Sequence, residues 1–281
     1  ADGQAVGIAN STTTVNASTT NIAQSDLTLQ TDENSATTFT LTGGIAIDTL
    51  LFENSATVAS TITVSSNITV DEAITMGNQG SGATTYTFNV AEDKVWTLTG
   101  NATVGTNANL AFNLLKGEMA LNGSAAQAIA MTILSDSGDD GVLTMTGAGK
   151  KTFSKVIGGT ELGSMTNAAA TSAEFNAAFD TKVVTNLGTL QFDAATGVNT
   201  LTNSGTVNLN AATTNVDADD QAALIMHTTG SILNLNASGN VNQDAIITGT
   251  TDGFGTINIF DGTDDEAGGI TTLLAGTLIG T

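Results

Sequence analysis

Short runs in which apolar and polar residues alternate recur along the whole chain. They occupy residues 39–42, 62–64, 68–70, 86–90, 207–209 and 257–259. Alternation with a period of two, carried by Val, Ile, Phe and Thr, is typical of β-strands. Gly, Asn, Asp and Ser separate the runs, as they do in turns. Because the strands are short and almost no helical pattern lies between them, the sequence predicts an all-β fold.

Two sequence units repeat along the chain. The first, apolar-Thr-apolar-Thr-Gly, is found at residues 39–43, 96–100 and 143–147. The second, Gly-Thr-apolar-polar-apolar, is found at residues 188–192, 205–209 and 255–259, with a looser copy at 230–235. Copies of the second unit begin 17, 25 and 25 residues apart. Steps of about 20 to 25 residues match one coil of a β-solenoid, of which roughly a dozen would fit this length. A β-sandwich, with strands that look alike because Thr and Asn are frequent, is the alternative.

One segment departs from the strand pattern. Thr171 and Glu174 have the spacing of a capping box, and Phe175 and Phe179 lie four residues apart, as on one face of a helix. The spacing predicts one short helix within about residues 165–182. The chain then divides into an N-terminal arm or capping strand, a β-rich part, a helical insertion and a second β-rich part, at residues 1–30, 31–160, 161–182 and 183–281.

Residues 95–106, with the sequence VWTLTGNATVGT, carry a resemblance to a known family. They resemble the passenger repeats of bacterial autotransporters, and the general texture is similar to Thr/Asn/Gly-rich surface-layer antigens of alphaproteobacteria. The resemblance implies a right-handed parallel β-helix displayed outside the cell.

Charge narrows the classes of function. The chain has 27 acidic residues, six Lys and no Arg, for a formal net charge of −21. Such a chain is a poor partner for nucleic acid or phosphate. It has no Cys, which excludes disulfides and thiolate metal sites. No run of about 18 apolar residues is present, so no insertion into a membrane is expected.

The expected location is extracellular, at the cell surface. The start at Ala1-Asp2-Gly3 is typical of a secreted chain after cleavage behind a small residue. A composition rich in Thr and Asn and poor in Lys favours the same location.

Three acidic clusters in turns are candidate Ca²⁺ sites, because Ca²⁺ binds six to eight oxygen ligands. They consist of Asp136, Asp139 and Asp140; Asp217, Asp219 and Asp220; and Asp261, Asp264, Asp265 and Glu266. None matches the spacing of an EF-hand or of the calcium-binding nonapeptide. Ordinary solvated turns are the alternative.

No catalytic residue is expected. A carbohydrate-active β-helix would need an acid and a base, which Asp139-Asp140 or Asp264-Asp265 could supply. The only histidine, His227, ends an apparent strand with no lysine near it in the sequence. The sequence therefore predicts a protein that is not an enzyme.

The predicted function is structural. We expect a secreted surface protein whose identical subunits assemble into an extracellular filament or surface layer by strand-edge and end-to-end packing, with Ca²⁺ as the possible cofactor. The alternative is an adhesin passenger domain that binds a host or a glycan. A single Trp and a single Tyr argue against it, because these residues dominate binding hot spots.

Overall fold

A computed structural model provides the structure of this chain. It describes residues 4–7, 12–16, 27–30, 38–42, 45–53, 60–76, 84–137, 140–211, 214–215, 223–226, 228, 230–235, 246–249, 255–259 and 279–280. Within these residues the regular structure is entirely β-strand, in one sheet of 28 strands. The all-β prediction is confirmed.

The strands are short and closely spaced. In chain order they are β1 Gln4–Gly7, β2 Thr12–Asn16, β3 Leu27–Gln30, β4 Thr38–Thr42, β5 Ile45–Glu53, β6 Ser60–Val64, β7 Ile68–Met76, β8 Thr84–Val90, β9 Val95–Leu98, β10 Asn101–Val104, β11 Ala108–Leu114, β12 Glu118–Leu121, β13 Gln127–Ile129, β14 Thr132–Ser135, β15 Val142–Met145, β16 Lys150–Phe153, β17 Ile157–Asn167, β18 Ser172–Phe175, β19 Phe179–Asn186, β20 Thr189–Phe192, β21 Thr196–Asn203, β22 Thr206–Leu209, β23 Thr214–Asn215, β24 Ala223–Met226, β25 Ile232–Leu235, β26 Ile246–Gly249, β27 Thr256–Ile259 and β28 Ile279–Gly280.

Parallel pairing arranges these strands in three rows, which we call faces. Face 1 consists of β2, β4, β6, β8, β11, β14, β23 and the first parts of β17, β19 and β21. Face 2 consists of β9, β12, β15, β24, β26, β28, the first parts of β5 and β7, and the last parts of β17, β19 and β21. Face 3 consists of β1, β3, β10, β13, β16, β18, β20, β22, β25, β27 and the last parts of β5 and β7.

The chain visits the faces in the order 1, 2, 3 and then begins the next coil, which is a β-solenoid. About seven consecutive complete coils lie within residues 60–211. All pairings among the described strands are parallel, so the sandwich alternative is wrong. Coil length varies: Ile74 pairs with Ala102, 28 residues later, whereas Phe175 pairs with Phe192, 17 residues later.

In the strands whose side chains are described, inward and outward positions largely alternate, and the inward residues from all three faces form one apolar core. Its centre contains two groups of aromatic rings. Phe88 and Phe112 stack with centroids 4.5 Å apart, and Trp96, from face 2, meets both edge-on. In the later coils Phe153, Phe175 and Phe192 form a column on face 3, with centroid distances of 4.7 and 5.1 Å. Parallel register places the same inward position of successive coils about 4.8 Å apart, which is close to the stacking distance of aromatic rings.

The predicted helix is wrong. Residues 161–182 lie in β17, β18 and β19, and the residues of the supposed capping box belong to a strand and the turn before it. Phe175 ends β18 and Phe179 begins β19, and their rings meet inside the solenoid at 4.5 Å because a turn, not a helix, separates them. The Thr171 hydroxyl donates to the carbonyl of Gly147 in the preceding coil, at 2.8 Å. Strand pairing passes through this segment without interruption, since β17 pairs with both β15 and β19.

The second repeated unit marks one corner of the solenoid, between faces 2 and 3. Gly188 and Gly205 occupy equivalent places there, since Thr189 pairs with Thr206. A Cβ on Gly205 would lie 1.9 Å from the carbonyl oxygen of Gly188, so only glycine fits between the coils. In the next coil the equivalent residue is Ser231, and its buried hydroxyl donates to the carbonyl of Asn203 at 2.6 Å. Ser231 thus takes the place of the glycine and Gly230 comes one residue before it, which explains why the copy at residues 230–235 has an extra residue.

We expect Phe175→Ala to lower the free energy of unfolding by about 3–5 kcal/mol, because it leaves a cavity between Phe153, Phe179 and Phe192. Thr152→Ala, on the outward side of the adjacent strand β16, is the control and should change it by less than about 0.5 kcal/mol. Urea unfolding followed by circular dichroism measures both. Equal losses in the two variants would contradict the inward column of rings.

Candidate interaction surfaces

The outward side of face 2 is almost free of charge. Between β9 and the end of β21 six successive strands cross this face, and each contributes three outward positions, counting the residue at or just after its end. These positions are Val95, Thr97, Thr99; Glu118, Ala120, Asn122; Val142, Thr144, Thr146; Ser164, Thr166, Ala168; Val183, Thr185, Leu187; and Thr200, Thr202, Ser204. Glu118 is the one charged side chain in this set. Val183 and Leu187 are 36% and 46% exposed, and they are two of the three large apolar side chains that are exposed in the described part of the chain.

The outward side of face 3 is polar and partly charged. Lys150 and Glu174, which lie on neighbouring strands, form an ion pair. Farther along, the carboxylate of Asp193 accepts hydrogen bonds from the amides of Gln191 and Asn210, at 2.8 and 2.6 Å. The two faces therefore differ in chemistry although the same coils build both.

An outward column of asparagines also lies on face 3. The Asn234 amide donates to Asn208 at 2.6 Å, and the Asn258 amide donates to Asn234 at 2.8 Å. These side chains use each other as partners across successive coils, as parallel register allows.

The first predicted calcium cluster lies at the corner between faces 1 and 2. Asp136 is exposed, and Asp140 accepts a hydrogen bond from the Ser137 hydroxyl at 2.6 Å. The same hydroxyl lies 3.5 Å from a carboxylate oxygen of Asp136. Asp139 lies outside the described residues. The described part of the chain contains no group of three or more acidic or histidine side chains placed to bind one metal ion.

The other predicted site residues fall outside the described residues, and they stay predictions. They are Asp217, Asp219 and Asp220 of the second cluster, Asp261, Asp264, Asp265 and Glu266 of the third, and His227.

A buried lysine lies inside the solenoid. Lys151 points inward from β16 and is fully buried, and its Nζ donates to the carbonyls of Gly123 and Gly149 at 2.6 and 2.9 Å. Gln127, at the same position one coil earlier, is also buried and donates to the carbonyls of Leu98 and Gly100. Both side chains donate to backbone carbonyls at this corner. Burial disfavours the charged form and lowers the pKa of Lys151 below the ordinary 10.5.

Three buried asparagines form an inward ladder at the corner between faces 2 and 3. The Asn167 amide donates to Asn186, and the Asn186 amide donates to Asn203, both at 2.8 Å. The Asn203 amide then donates to the carbonyl of Ile232 at 3.0 Å. The side-chain oxygens of Asn186 and Asn203 also accept the backbone N–H two residues later, which holds the turn at each glycine. The ladder therefore ties three coils together and closes two of their corners.

Neither the asparagine ladder nor the buried lysine is predicted from the sequence. The signal for the ladder was present as Asn-x-Gly-Thr at residues 186–189 and 203–206, at the same 17-residue step as the repeated unit. Lys151 follows Lys150 in a run that alternates as a strand, and only the register shows which of the two points inward.

Comparisons with protein families, with characterised proteins and with solved structures found no match to this chain. In the described part of the chain no helix has the length and apolar character needed to cross a membrane. What the residues define on their own is the class of protein, an acidic parallel β-solenoid.

Stability should rise with pH at alkaline pH because of Lys151. Its pKa in the folded chain lies below 10.5, so between these two values the unfolded chain binds more protons than the folded chain. The free energy of unfolding therefore increases through that window, and Lys151→Met should reduce the increase. Urea unfolding at a series of pH values up to 10.5 measures it.

Lys155→Met, in an exposed turn, is the control for the loss of one lysine. Burial raises the pKa of Asp180 above its ordinary value of 3.8. Titration of this carboxyl therefore changes the free energy of unfolding at acidic pH and leaves the alkaline slope unaffected. If Lys151→Met and the wild-type chain have the same alkaline slope, the burial of a charged lysine at this position is contradicted.

Proposed function

We propose that this chain is a structural protein of a cell exterior, without catalytic activity, whose identical subunits join end to end into a filament or layer. The observation that carries the proposal is the continuous row of parallel strands on face 3, which runs from β1 to β27. A solenoid of this kind has a strand edge at each end of the row, and such an edge binds another strand unless it is covered.

The edge at β27 can be assigned atom by atom. The backbone N–H of Thr256 donates to the carbonyl of Ser231, in the previous coil, at 2.8 Å. In a parallel ladder the backbone groups of successive residues point to opposite sides. The N–H and carbonyl of Ile257 therefore point away from β25, toward a place where no described strand lies. At the other end, β1 pairs with β3 alone among the described strands.

Two further features support a structural role. The chain has no proline, and its lysines lie between Lys94 and Lys182, so both common guards of a strand edge are missing from the two end regions. The only tyrosine and the only tryptophan, Tyr86 and Trp96, are fully buried in the core. They are not available as an exposed aromatic platform for a sugar, which disfavours the adhesin alternative.

The extracellular location rests on composition. The chain lacks Cys and Arg, carries few Lys and has a net charge of −21. When subunits of this charge approach one another, cations must offset the repulsion. We propose that Ca²⁺ at the acidic corners, including Asp136 and Asp140, does so.

Ile257→Pro should abolish end-to-end assembly, because proline has no N–H to donate to the strand of the next subunit. Ile257→Ala is the matched control: it loses the same apolar side chain but keeps the N–H. Electron microscopy of the purified full chain, together with light scattering over a range of concentrations, should show polymers for the wild type and for Ile257→Ala, and discrete particles for Ile257→Pro. Equal assembly of the two variants would contradict pairing through β27.

Removal of Ca²⁺ with a chelator should shorten the polymers or lower their melting temperature, and added Ca²⁺ should restore them. The double variant Asp136→Asn/Asp140→Asn should reduce the response to chelator if the first cluster contributes. If a chelator has no effect on the polymers after thorough dialysis, these acidic residues lie in ordinary solvated turns and do not bind Ca²⁺.

A further inference from the structure

Face 2 has two properties that a solvent-exposed surface does not require. It carries almost no charge over six coils, and it exposes large apolar side chains. Its 18 outward positions over six coils include one charged side chain, Glu118, in a chain whose net charge is −21. Its exposed apolar side chains, Val183 and Leu187, lie on the same strand crossing. Face 3 of the same coils carries Lys150, Glu174 and Asp193, whereas the face 1 strands β8, β11 and β14 are as uncharged as face 2. Exposed large apolar side chains on a strand crossing distinguish face 2 from both.

We propose that face 2 binds face 2 of a second copy of this chain, side by side, as two sheets packed face to face. Two copies that each carry a net charge of −21 repel one another. The repulsion is least where the two surfaces that meet carry almost no charge. Threonine and valine side chains suit such a contact, since stacked sheets interdigitate β-branched side chains about 10 Å apart. This contact is lateral and does not depend on the end-to-end contact proposed above.

A twofold arrangement in which the two solenoids run in opposite directions fits the pattern best. Glu118 lies on the second of the six strand crossings, so in this arrangement it faces Val183 on the fifth crossing of the other copy, and not the Glu118 of that copy. The two carboxylates are thereby kept apart, and a contact of this kind is closed and self-complementary.

The size of the face sets the strength to expect. Six crossings about 4.8 Å apart and about five residues of 3.3 Å each give a face of roughly 24 by 16 Å on each copy. Two such faces bury roughly 800 Å² in total, which is at the small end for specific contacts and implies a weak, concentration-dependent association. The measurement must therefore cover high protein concentrations.

The test introduces charge within the contact, on the fifth and sixth crossings. Thr185→Glu/Thr202→Glu places two carboxylates on neighbouring crossings of face 2, and Thr189→Glu/Thr206→Glu places two at the same spacing on face 3 of the same two coils. The change in net charge and the repulsion between the two new carboxylates are matched, so only the face differs. Sedimentation velocity of each full-length chain is run in the Ile257→Pro background, which removes the proposed end-to-end contact.

We expect the parent chain and the face 3 variant to dimerise, and the face 2 variant to dimerise at least about tenfold more weakly, because the contact would bury two carboxylates that have no partner of opposite charge. A parent chain that stays monomeric at every concentration would overturn the proposal, as would equal weakening by both double variants. Failure here leaves the end-to-end proposal standing, since that contact is tested separately by Ile257→Ala against Ile257→Pro.

A second pair of variants guards against misfolding of the Glu variants. The chain contains no cysteine, so Thr144→Cys on face 2 and Thr152→Cys on face 3 each add a single thiol, one on each face of the same coil. With a short bifunctional thiol-reactive cross-linker under reducing-agent-free conditions, Thr144→Cys should form covalent dimers faster than Thr152→Cys. Equal rates of cross-linking would overturn the proposal.

Discussion

Neighbouring coils pair in parallel and in register, and this pairing places each side chain directly over its counterpart one coil away. Every column of the solenoid is therefore a column of near-contacts between side chains that are distant in sequence. Inside the solenoid, this in-register pairing favours residues that stack on residues of the same kind, such as Phe153, Phe175 and Phe192. At the corners it leaves room only for residues whose backbones can approach, as at Gly205. Variation in coil length from 17 to 32 residues is absorbed by the turns, because the register of the strands is kept.

The same constraint explains the unusual composition. A charged residue repeated in an outward column would face a like charge about 4.8 Å away in each neighbouring coil. Charges on the strands are therefore scarce, and two that lie on neighbouring strands, Lys150 and Glu174, have opposite sign and form an ion pair. Exposed acids such as Asp71, Glu92 and Asp136 lie at or beside corners, where the chain turns away from its neighbours. Uncharged Thr and Asn fill the columns because they can donate and accept hydrogen bonds to copies of themselves.

Much of the fold could be predicted from the sequence, since strand alternation and the step of the repeated unit follow directly from the coil. The helix was wrongly predicted because two inward phenylalanines on either side of a tight turn have the same four-residue spacing as a helical face. Thr171 and Glu174 imitated a capping box, although one bonds to the previous coil and the other points outward to Lys150. The buried roles of Lys151 and Asn186 could not be predicted, because they depend on which residue of another coil lies next to them. The acid clusters were selected by composition, and composition does not specify how turns from different coils meet.

The buried asparagine ladder gives the solenoid a direction. Each amide donates toward the C-terminal coil, so the row begins with the oxygen of Asn167, which has no partner in the described residues, and ends on the carbonyl of Ile232. Each asparagine inside the row donates to the next coil and accepts from the previous one, so its coil gives and receives one side-chain hydrogen bond. Such a coil can therefore have a copy of itself as its neighbour. A duplicated copy placed within the row would keep every amide of the ladder partnered, so the ladder itself allows the solenoid to grow by added coils. The Met145 coil, which offers no amide to Asn167, marks the point at which that route to growth stops.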